Sequence, residues 1–188
     1  MKLYIVRHAV ACDRDANLWP DDSQRPLAPE GEERFRRVAG GILRLVPEVG
    51  AVLSSPFVRA WRTAELLQQA GWPAPIPCEE LGPDYPPHKV LGMLTRYENL
   101  GSVALVGHRP GLHELVSYLL TSDEIDEACG ARVQIKKGGA VHLSFNGLPE
   151  PGVGSLEWLL TPKALRAVGL GAGSKKHQPL ITDAASES

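Results

Sequence analysis

Three short apolar segments along the chain predict strands that are buried on both faces. They are residues 3–6, 51–54 and 103–106, and each carries apolar residues at consecutive rather than alternate positions. Consecutive apolar residues are typical of parallel strands covered by helices on both sides. The pattern therefore predicts a sheet whose inner strands run parallel.

Helical periodicity separates these segments. From Glu30 to Val46, and again over residues 60–67 and 112–119, apolar residues recur at three- and four-residue spacing. For the second stretch we expect Ser55 to be the N-cap and Pro56 the first helical residue. Strands that alternate with helices predict an α/β domain with a mostly parallel central sheet flanked by helices.

The remaining segments complete this picture. Residues 73–87 contain six prolines, which excludes a long helix or a central strand. A short helix is predicted over residues 90–97. Residues 140–145 and 156–160 flank a link rich in Gly and Pro, and they predict an antiparallel hairpin at the edge of the sheet.

Length and charge limit the classes of protein to be considered. A chain of 188 residues suits one domain, which we place at residues 1–168, followed by a flexible C-terminal tail over residues 169–188. The 20 basic and 22 acidic residues give a formal net charge of −2, which excludes a globally basic nucleic-acid binder. Because we find neither a signal peptide nor a membrane span, we expect a soluble, cytoplasmic protein that binds no membrane and is a monomer.

Cysteine usage argues against two kinds of stabilising site. Cys12, Cys78 and Cys129 are odd in number, far apart in the sequence and without CxxC spacing. A disulfide framework and a cysteine-based zinc site are therefore both disfavoured. We expect the three cysteines to be small buried residues.

Basic side chains follow each of the three predicted inner strands. Arg7 and His8 follow the first, Arg59 lies near the start of the helix after the second, and His108 follows the third. Ligands of open α/β sheets bind at the carboxyl ends of the strands, so these four side chains are expected to meet. A helix N-terminus favours anions, and the arginine fork matches phosphate oxygens. The pattern indicates phosphoryl chemistry.

These motifs resemble the histidine phosphatase superfamily, which has the phosphoglycerate mutase-like fold, and within it the SixA-type phosphohistidine phosphatases. The resemblance covers roughly residues 1–168, and its three main motifs occur in the family's order, each after a strand. The matching segments are Arg7-His8, residues 55–60 with Thr63, Gly107-His108, residues 25–27 with Gly31, residues 80–83 and residues 158–162.

The resemblance implies a role for each site residue. His8 would be the nucleophile that carries the phosphoryl group, Arg7 and Arg59 would bind its oxygens, and His108 would donate to the same oxygens. Arg25 is a further candidate anion contact. An imidazole with a pKa of about 6.5 is largely neutral at pH 7 and can attack through one nitrogen. Its other nitrogen must be held as a donor, for which we expect a backbone carbonyl. No metal or other cofactor is expected.

Two substitutions depart from the family pattern. Ala9 stands where the family has Gly, which would cause strain if the position required a positive φ. Ala28 replaces the usual Thr before the first long helix, which removes an N-cap worth about 1 kcal/mol.

A third departure concerns the general acid. Larger family members carry a carboxylic acid in an insertion after the second Arg, whereas here only 49 positions separate Arg59 from His108. Glu79, Glu80 and Asp84 lie in this span, and we take Glu80 as the candidate proton donor. An alkoxide leaves poorly without a proton, whereas an imidazole leaves near neutral pH. A site without an assured acid favours phosphohistidine on a protein.

We therefore expect a phosphatase that hydrolyses phosphohistidine on a phosphorelay or phosphotransfer protein through phospho-His8. One alternative is a small-molecule phosphomonoesterase or mutase, although a mutase would need the absent insertion. Another is a non-catalytic module that binds phosphorylated partners, although binding alone would not need the nucleophile. The other histidines, His113 among them, are interpreted as structural or surface residues.

Overall fold

The computed structural model describes residues 1–83, 85–122 and 133–170. Within them, six strands form one sheet in the order β3-β2-β4-β1-β5-β6. The strands are β1 (Lys2–Arg7), β2 (Ala51–Ser54), β3 (Pro75–Pro77), β4 (Ser102–Gly107), β5 (Ala140–Ser144) and β6 (Ser155–Leu160).

Helices and short 3-10 turns connect the strands. The α-helices of the described residues are α1 (Pro29–Leu45), α2 (Val58–Ala70), α3 (Pro87–Leu94), α4 (Gly111–Thr121) and α5 (Pro162–Leu170). The 3-10 turns are Asp22–Gln24, Glu79–Leu81 and Thr95–Tyr97.

The sheet confirms the predicted fold class. Strands β1 to β4 pair with one another in parallel, whereas β5 is antiparallel to β1 and β6 is antiparallel to β5. The chain therefore has a mostly parallel sheet with an antiparallel hairpin at one edge. This is the arrangement predicted from consecutive apolar residues in the inner strands and weaker alternation in the late ones.

Burial on both faces of the sheet explains the consecutive apolar residues. In β1, Tyr4 and Val6 pack into the cluster formed with α1, α2 and α5, whereas Leu3 and Ile5 pack against the cluster formed with α3 and α4. Successive side chains of a strand point to opposite faces, so a strand covered on both sides needs apolar residues at every position.

The start of α2 differs from the prediction. The helix begins at Val58 with Phe57 as its N-cap, and the non-helical backbone of Phe57 keeps Pro56 outside the helix. The hydroxyl of Ser55 accepts a hydrogen bond from the backbone N–H of Phe57 at 3.3 Å and contacts His108 at 3.0 Å. The prediction of Ser55 as N-cap and Pro56 as first helical residue is therefore wrong, because the helical hydrogen bonds begin at the carbonyl of Phe57, which accepts from the N–H of Trp61 at 2.9 Å.

The other helix start agrees with the sequence. Ala28 is the N-cap of α1 and has no side-chain hydrogen bond to the helix, while Pro29 occupies the first turn. The stabilisation that a threonine would supply there is absent, as predicted. The effect is confined to helix stability, since Ala28 does not line the site described below.

The proline-rich segment forms short elements only. It supplies the edge strand β3 and the 3-10 turn Glu79–Leu81, in agreement with the exclusion of a long helix or central strand. The helix predicted over residues 90–97 begins earlier, at Pro87, and continues as a 3-10 turn to Tyr97.

At the C-terminus, α5 extends to Leu170, and the remainder of the predicted tail, residues 171–188, lies outside the described residues. None of the helices in the described ranges is long and apolar enough to cross a membrane.

Candidate active site

A cavity of about 400 Å³ lies at the carboxyl ends of β1, β2 and β4. β1 ends at Arg7 and β4 at Gly107, and these two residues pair in the parallel register. The backbone N–H of His8 then donates to the carbonyl of Gly107 at 3.0 Å. The rings of His8 and His108 consequently lie 5.0 Å apart between centroids. The structure brings together the histidines that follow the two strands.

The second arginine reaches the cavity from the start of a helix. Arg59 is the second residue of α2, its side chain is buried, and its guanidinium lies 5.0 Å from the centroid of the Phe57 ring. Free N–H groups in the first turn of a helix add a favourable field for an anion. Arg7, His8, Arg59 and His108 therefore line one cavity, as predicted from their positions after strands.

The ring of His8 is held in a single orientation. Its Nδ1 lies 2.7 Å from the carbonyl oxygen of Ala9, the kind of backbone partner expected from the sequence. Because a carbonyl only accepts, Nδ1 carries the hydrogen and Nε2 keeps its lone pair. Burial is the main cause that lowers the pKa of His8 well below its usual value, and the neighbouring His108, Arg59 and Arg7 lower it further, against the Ala9 bond. The imidazole is therefore neutral and nucleophilic at pH 7.

Ala9 fits its position without strain. Among the described residues other than glycine, only Ser122 has a positive φ, so Ala9 does not need the freedom of glycine. Its backbone N–H donates to Oγ1 of Thr63 at 3.0 Å, and Thr63 in turn donates to the carbonyl of Arg59 at 2.7 Å. With Ala at this position, hydrogen bonds through the Thr63 side chain connect the loop after β1 to the helix that carries Arg59.

His108 presents a second neutral imidazole to the cavity. Its Nε2 lies 3.0 Å from Oγ of Ser55, which already accepts from the N–H of Phe57. A hydroxyl that accepts from Phe57 can also donate its hydrogen to Nε2, and in that arrangement the ring hydrogen of His108 is on Nδ1. Burial first, and then the charges of Arg59 and Arg7, lower the pKa of His108 to about 3.

Three buried N–H groups in the cavity lack a hydrogen-bond partner among the residues that the structure describes. They are Nε of Arg7, Nε of Arg59 and Nδ1 of His108, and all three belong to residues that line the same space. Buried donors are nearly always hydrogen-bonded, so three unpaired ones in a single cavity point to a ligand with several acceptor oxygens. A phosphoryl group supplies three such oxygens.

The Ser55→Ala substitution tests how His108 is held. We expect kcat to fall about tenfold with a smaller change in KM, because the loss of one hydrogen bond frees the His108 tautomer. The ¹⁵N shifts of the His108 ring should change from a pure Nδ1–H form to a mixture. Ser54→Ala is the matched control, since Ser54 is equally buried and its hydroxyl donates to the carbonyl of Ser55 rather than to His108. An unchanged tautomer in Ser55→Ala would contradict this role.

Asp22 is a residue of the site that the sequence did not reveal. Its carboxylate accepts from Nε of Arg25 at 2.8 Å and from Nη2 of Arg59 at 2.9 Å. Partial desolvation raises the pKa of Asp22, but the Arg25 hydrogen bond and the charges of Arg59, Arg25 and Arg14 together lower it below its usual value. Asp22 therefore stays ionised and holds two guanidinium groups in place.

Arg25, predicted as a further anion contact, is buried and lines the cavity. Its Nη1 donates to the carbonyl of Cys12 at 2.7 Å, in addition to the bond to Asp22. The geometry places this side chain beside Arg59, and its role toward an anion stays a prediction. The local signal that could have pointed to Asp22 is its position three residues before Arg25.

The Arg7 side chain is held by a backbone carbonyl of the segment that precedes β5. Its Nη1 donates to the carbonyl of Ile135 at 2.8 Å, and the N–H of Ile135 donates to Nε2 of His113 at 3.1 Å. His113 is thus a structural residue that holds the segment against which Arg7 packs. Burial and then the charge of Arg109 lower the pKa of Arg7 to about 10, so its guanidinium remains charged at pH 7.

The candidate proton donor does not line the cavity. Glu80 accepts a hydrogen bond from Sγ of Cys78 at 3.3 Å, and neither it nor Glu79 is among the lining residues. Asp84, the third acid considered, lies outside the described residues. In the described part of the chain, the carboxylates that line the cavity are those of Asp13 and Asp22.

Comparison with known proteins agrees with this site. The model of the histidine phosphatase superfamily (branch 1) matches residues 3–81, the part of the chain that carries Arg7, His8 and Arg59. An uncharacterized protein of Picosynechococcus is 33% identical over 146 residues, covering 76% of this chain and 84% of that protein.

Similarity to SixA extends over most of the chain. The phosphohistidine phosphatase SixA of Escherichia coli is 29% identical over 173 residues, covering 88% of this chain and 97% of the relative. The solved structure of the protein histidine phosphatase SixA complexed with tungstate matches with a TM-score of 0.73 at 26% identity. That match covers 88% of this chain and 99% of the other.

Proposed function

This chain belongs to the histidine phosphatase superfamily, and on that premise we propose that it hydrolyses phosphohistidine on a phosphorelay or phosphotransfer protein. The observation that carries the proposal is a cavity with a neutral nucleophile, His8, and three unpaired N–H donors around it. The similarity to SixA, named a phosphohistidine phosphatase, supports the same substrate class.

In the first step, the lone pair of His8 Nε2 attacks the phosphorus. The new Nε2–P bond forms as the P–N bond to the substrate imidazole breaks, and the bonding electrons return to the substrate ring. A substrate ring that is protonated at its other nitrogen leaves as neutral imidazole. Arg7, Arg59 and His108 stabilise the phosphoryl oxygens as charge spreads over them in the transition state.

In the second step, water attacks the phosphorus of phospho-His8. The O–P bond forms, the Nε2–P bond breaks, and the proton released by water ends on the product phosphate or in solvent. The hydrogen bond from Nδ1 to the carbonyl of Ala9 keeps the phosphorylated ring protonated at Nδ1. His8 therefore leaves as a neutral imidazole, and one hydrogen bond serves both steps.

Neither Asp22 nor Glu80 is suited to act as the general acid of this cavity, which favours this leaving group. Asp22 is held ionised by its arginine partners, and Glu80 bonds to Cys78 outside the cavity. A serine or sugar oxygen would leave as an alkoxide and would need a proton in the transition state, whereas a protonated phosphohistidine does not. Because two guanidinium groups supply the positive charge, the proposal also includes independence from metal ions.

A comparison of substrates tests the proposal. A phosphohistidine peptide, a phosphoserine peptide, p-nitrophenyl phosphate and a sugar phosphate are offered at equal concentration, with and without EDTA. We expect kcat/KM for phosphohistidine to exceed the others by about 100-fold or more, the range that a general acid contributes, and to be insensitive to EDTA.

Two results would overturn the proposal. Rapid hydrolysis of the phosphate esters with phosphohistidine left intact would indicate a small-molecule phosphomonoesterase. Binding of inorganic phosphate without turnover of any substrate would indicate a module that only binds phosphorylated partners.

A further inference from the structure

The lining of the cavity carries more positive charge than one phosphoryl group requires. Six of the described lining residues are cationic and two are acidic, although the whole chain has a formal net charge of −2. A phosphoryl group carries about −1.5 to −2 at neutral pH. The cavity lining therefore carries an excess of positive charge that the chain as a whole does not have.

The cations fall into a buried and an exposed group. Arg7, Arg25 and Arg59 are buried and are hydrogen-bonded at the floor of the cavity. Arg14, Arg109 and Lys137 are exposed. Arg14 pairs with Asp22 at 3.6 Å, whereas neither Arg109 nor Lys137 forms an ion pair with any residue the structure describes. We call Arg109 and Lys137 the cationic rim. The rim residues are exposed, whereas the donors that a phosphoryl group would occupy are buried.

The rim residues repel the cations beneath them. Burial first, and then the charges of Arg7, Arg25 and Arg109, lower the pKa of Lys137, with Asp13 opposing them. The charge of Arg109 likewise contributes to the lowered pKa of Arg7. Like charges that form no ion pair with the described residues are stabilised by an anion from outside, and the rim is placed to meet the part of a substrate that surrounds its phosphoryl group.

We propose that the cationic rim is a docking surface for carboxylates that flank the phosphohistidine of an acidic protein substrate. This inference rests on the proposed function and specifies its partner. Arg109 follows β4 and Lys137 precedes β5, so the two charges come from separate loops on the mouth of the cavity. A protein surface can place a carboxylate near each of them while its phosphohistidine enters. Complementary charge of this kind raises the rate of encounter and selects among partners.

Two phosphohistidine peptides that differ only in their neighbours test the docking surface. In one peptide Glu flanks the phosphohistidine on both sides, and in the other Gln does. We expect the unaltered protein to prefer the Glu peptide by about fivefold in kcat/KM, consistent with two exposed charge pairs, and the preference to fall as salt is raised.

Paired variants identify the residues responsible. The double substitution Arg109→Gln/Lys137→Gln should reduce the preference for the Glu peptide to below about twofold. The matched control is Lys2→Gln/Arg96→Gln, because Lys2 begins β1 and Arg96 precedes β4, so both lie toward the opposite edge of the sheet. The control should keep the full preference.

The outcomes separate the two proposals. If both peptides are hydrolysed equally by the unaltered protein, the docking surface is wrong and the proposed function stands. A proportional loss on the Glu peptide, the Gln peptide and free phosphoramidate in the rim variant would place these cations in phosphoryl binding and would also overturn docking. If neither peptide is hydrolysed, the proposed function fails and the docking surface fails with it.

Discussion

Replacement of His8 by alanine is expected to lower the turnover of phosphohistidine by about 10⁴-fold or more, because the covalent pathway loses its nucleophile. His108 is not placed to substitute for it, since its Nε2 is engaged by the hydroxyl of Ser55 at 3.0 Å. Arg7 and Arg59 would remain, so the variant should still bind inorganic phosphate. Single-turnover kinetics with a phosphohistidine peptide would measure the loss directly.

Covalent trapping provides the complementary measurement. After brief incubation with ³²P-labelled phosphohistidine peptide and rapid quenching in base, the label should map to His8 and should be lost in acid. His8→Gln keeps the bulk of the buried ring and guards against a folding defect of the alanine variant, while His88→Ala, at an exposed histidine, is the control. Label on another residue, or undiminished activity in both His8 variants, would show that the nucleophile is wrongly assigned.

Much of the fold is predictable because burial on both faces of a sheet leaves a direct mark on the sequence. The three runs of consecutive apolar residues correspond to β1, β2 and β4, and all three lie side by side in the sheet. Once those strands are parallel, the residues that follow them must share one edge. The proximity of His8 and His108 therefore follows from sheet topology, although 100 positions separate them.

The parts of the site that escape prediction depend on contacts between residues that are far apart in the sequence. Asp22 reaches Arg59 only because the segment before α1 folds over the start of α2, and a contact across 37 positions leaves no local pattern. Ser55 looks like an N-cap from its neighbours, but its hydroxyl has a partner in His108, 53 positions away. Local preference is overridden where a side chain finds a tertiary partner.

The geometry of the second arginine leads to a prediction about charge and shape. Arg59→Lys keeps the positive charge but replaces a planar fork by a single ammonium group, which cannot contact two phosphoryl oxygens and Asp22 together. We expect kcat/KM for phosphohistidine to fall by about 10²- to 10³-fold, the cost of removing one preorganised donor to the transition state. Binding of inorganic phosphate should weaken far less, because the spread of charge that the fork stabilises develops only during transfer.

The neighbouring helix position supplies the matched control. Arg62 lies one turn further along α2, where it pairs with Glu32 and Glu65 and does not line the catalytic cavity. Arg62→Lys should therefore leave kcat/KM nearly unaltered. Because its ion pairs would be weakened, we expect only a small decrease in the Tm of this variant. Equal activity of Arg59→Lys and Arg62→Lys would show that charge alone suffices at Arg59. In that case the bidentate contact would not contribute to catalysis, and the phosphoryl group would be held by Arg7 and His108 without it.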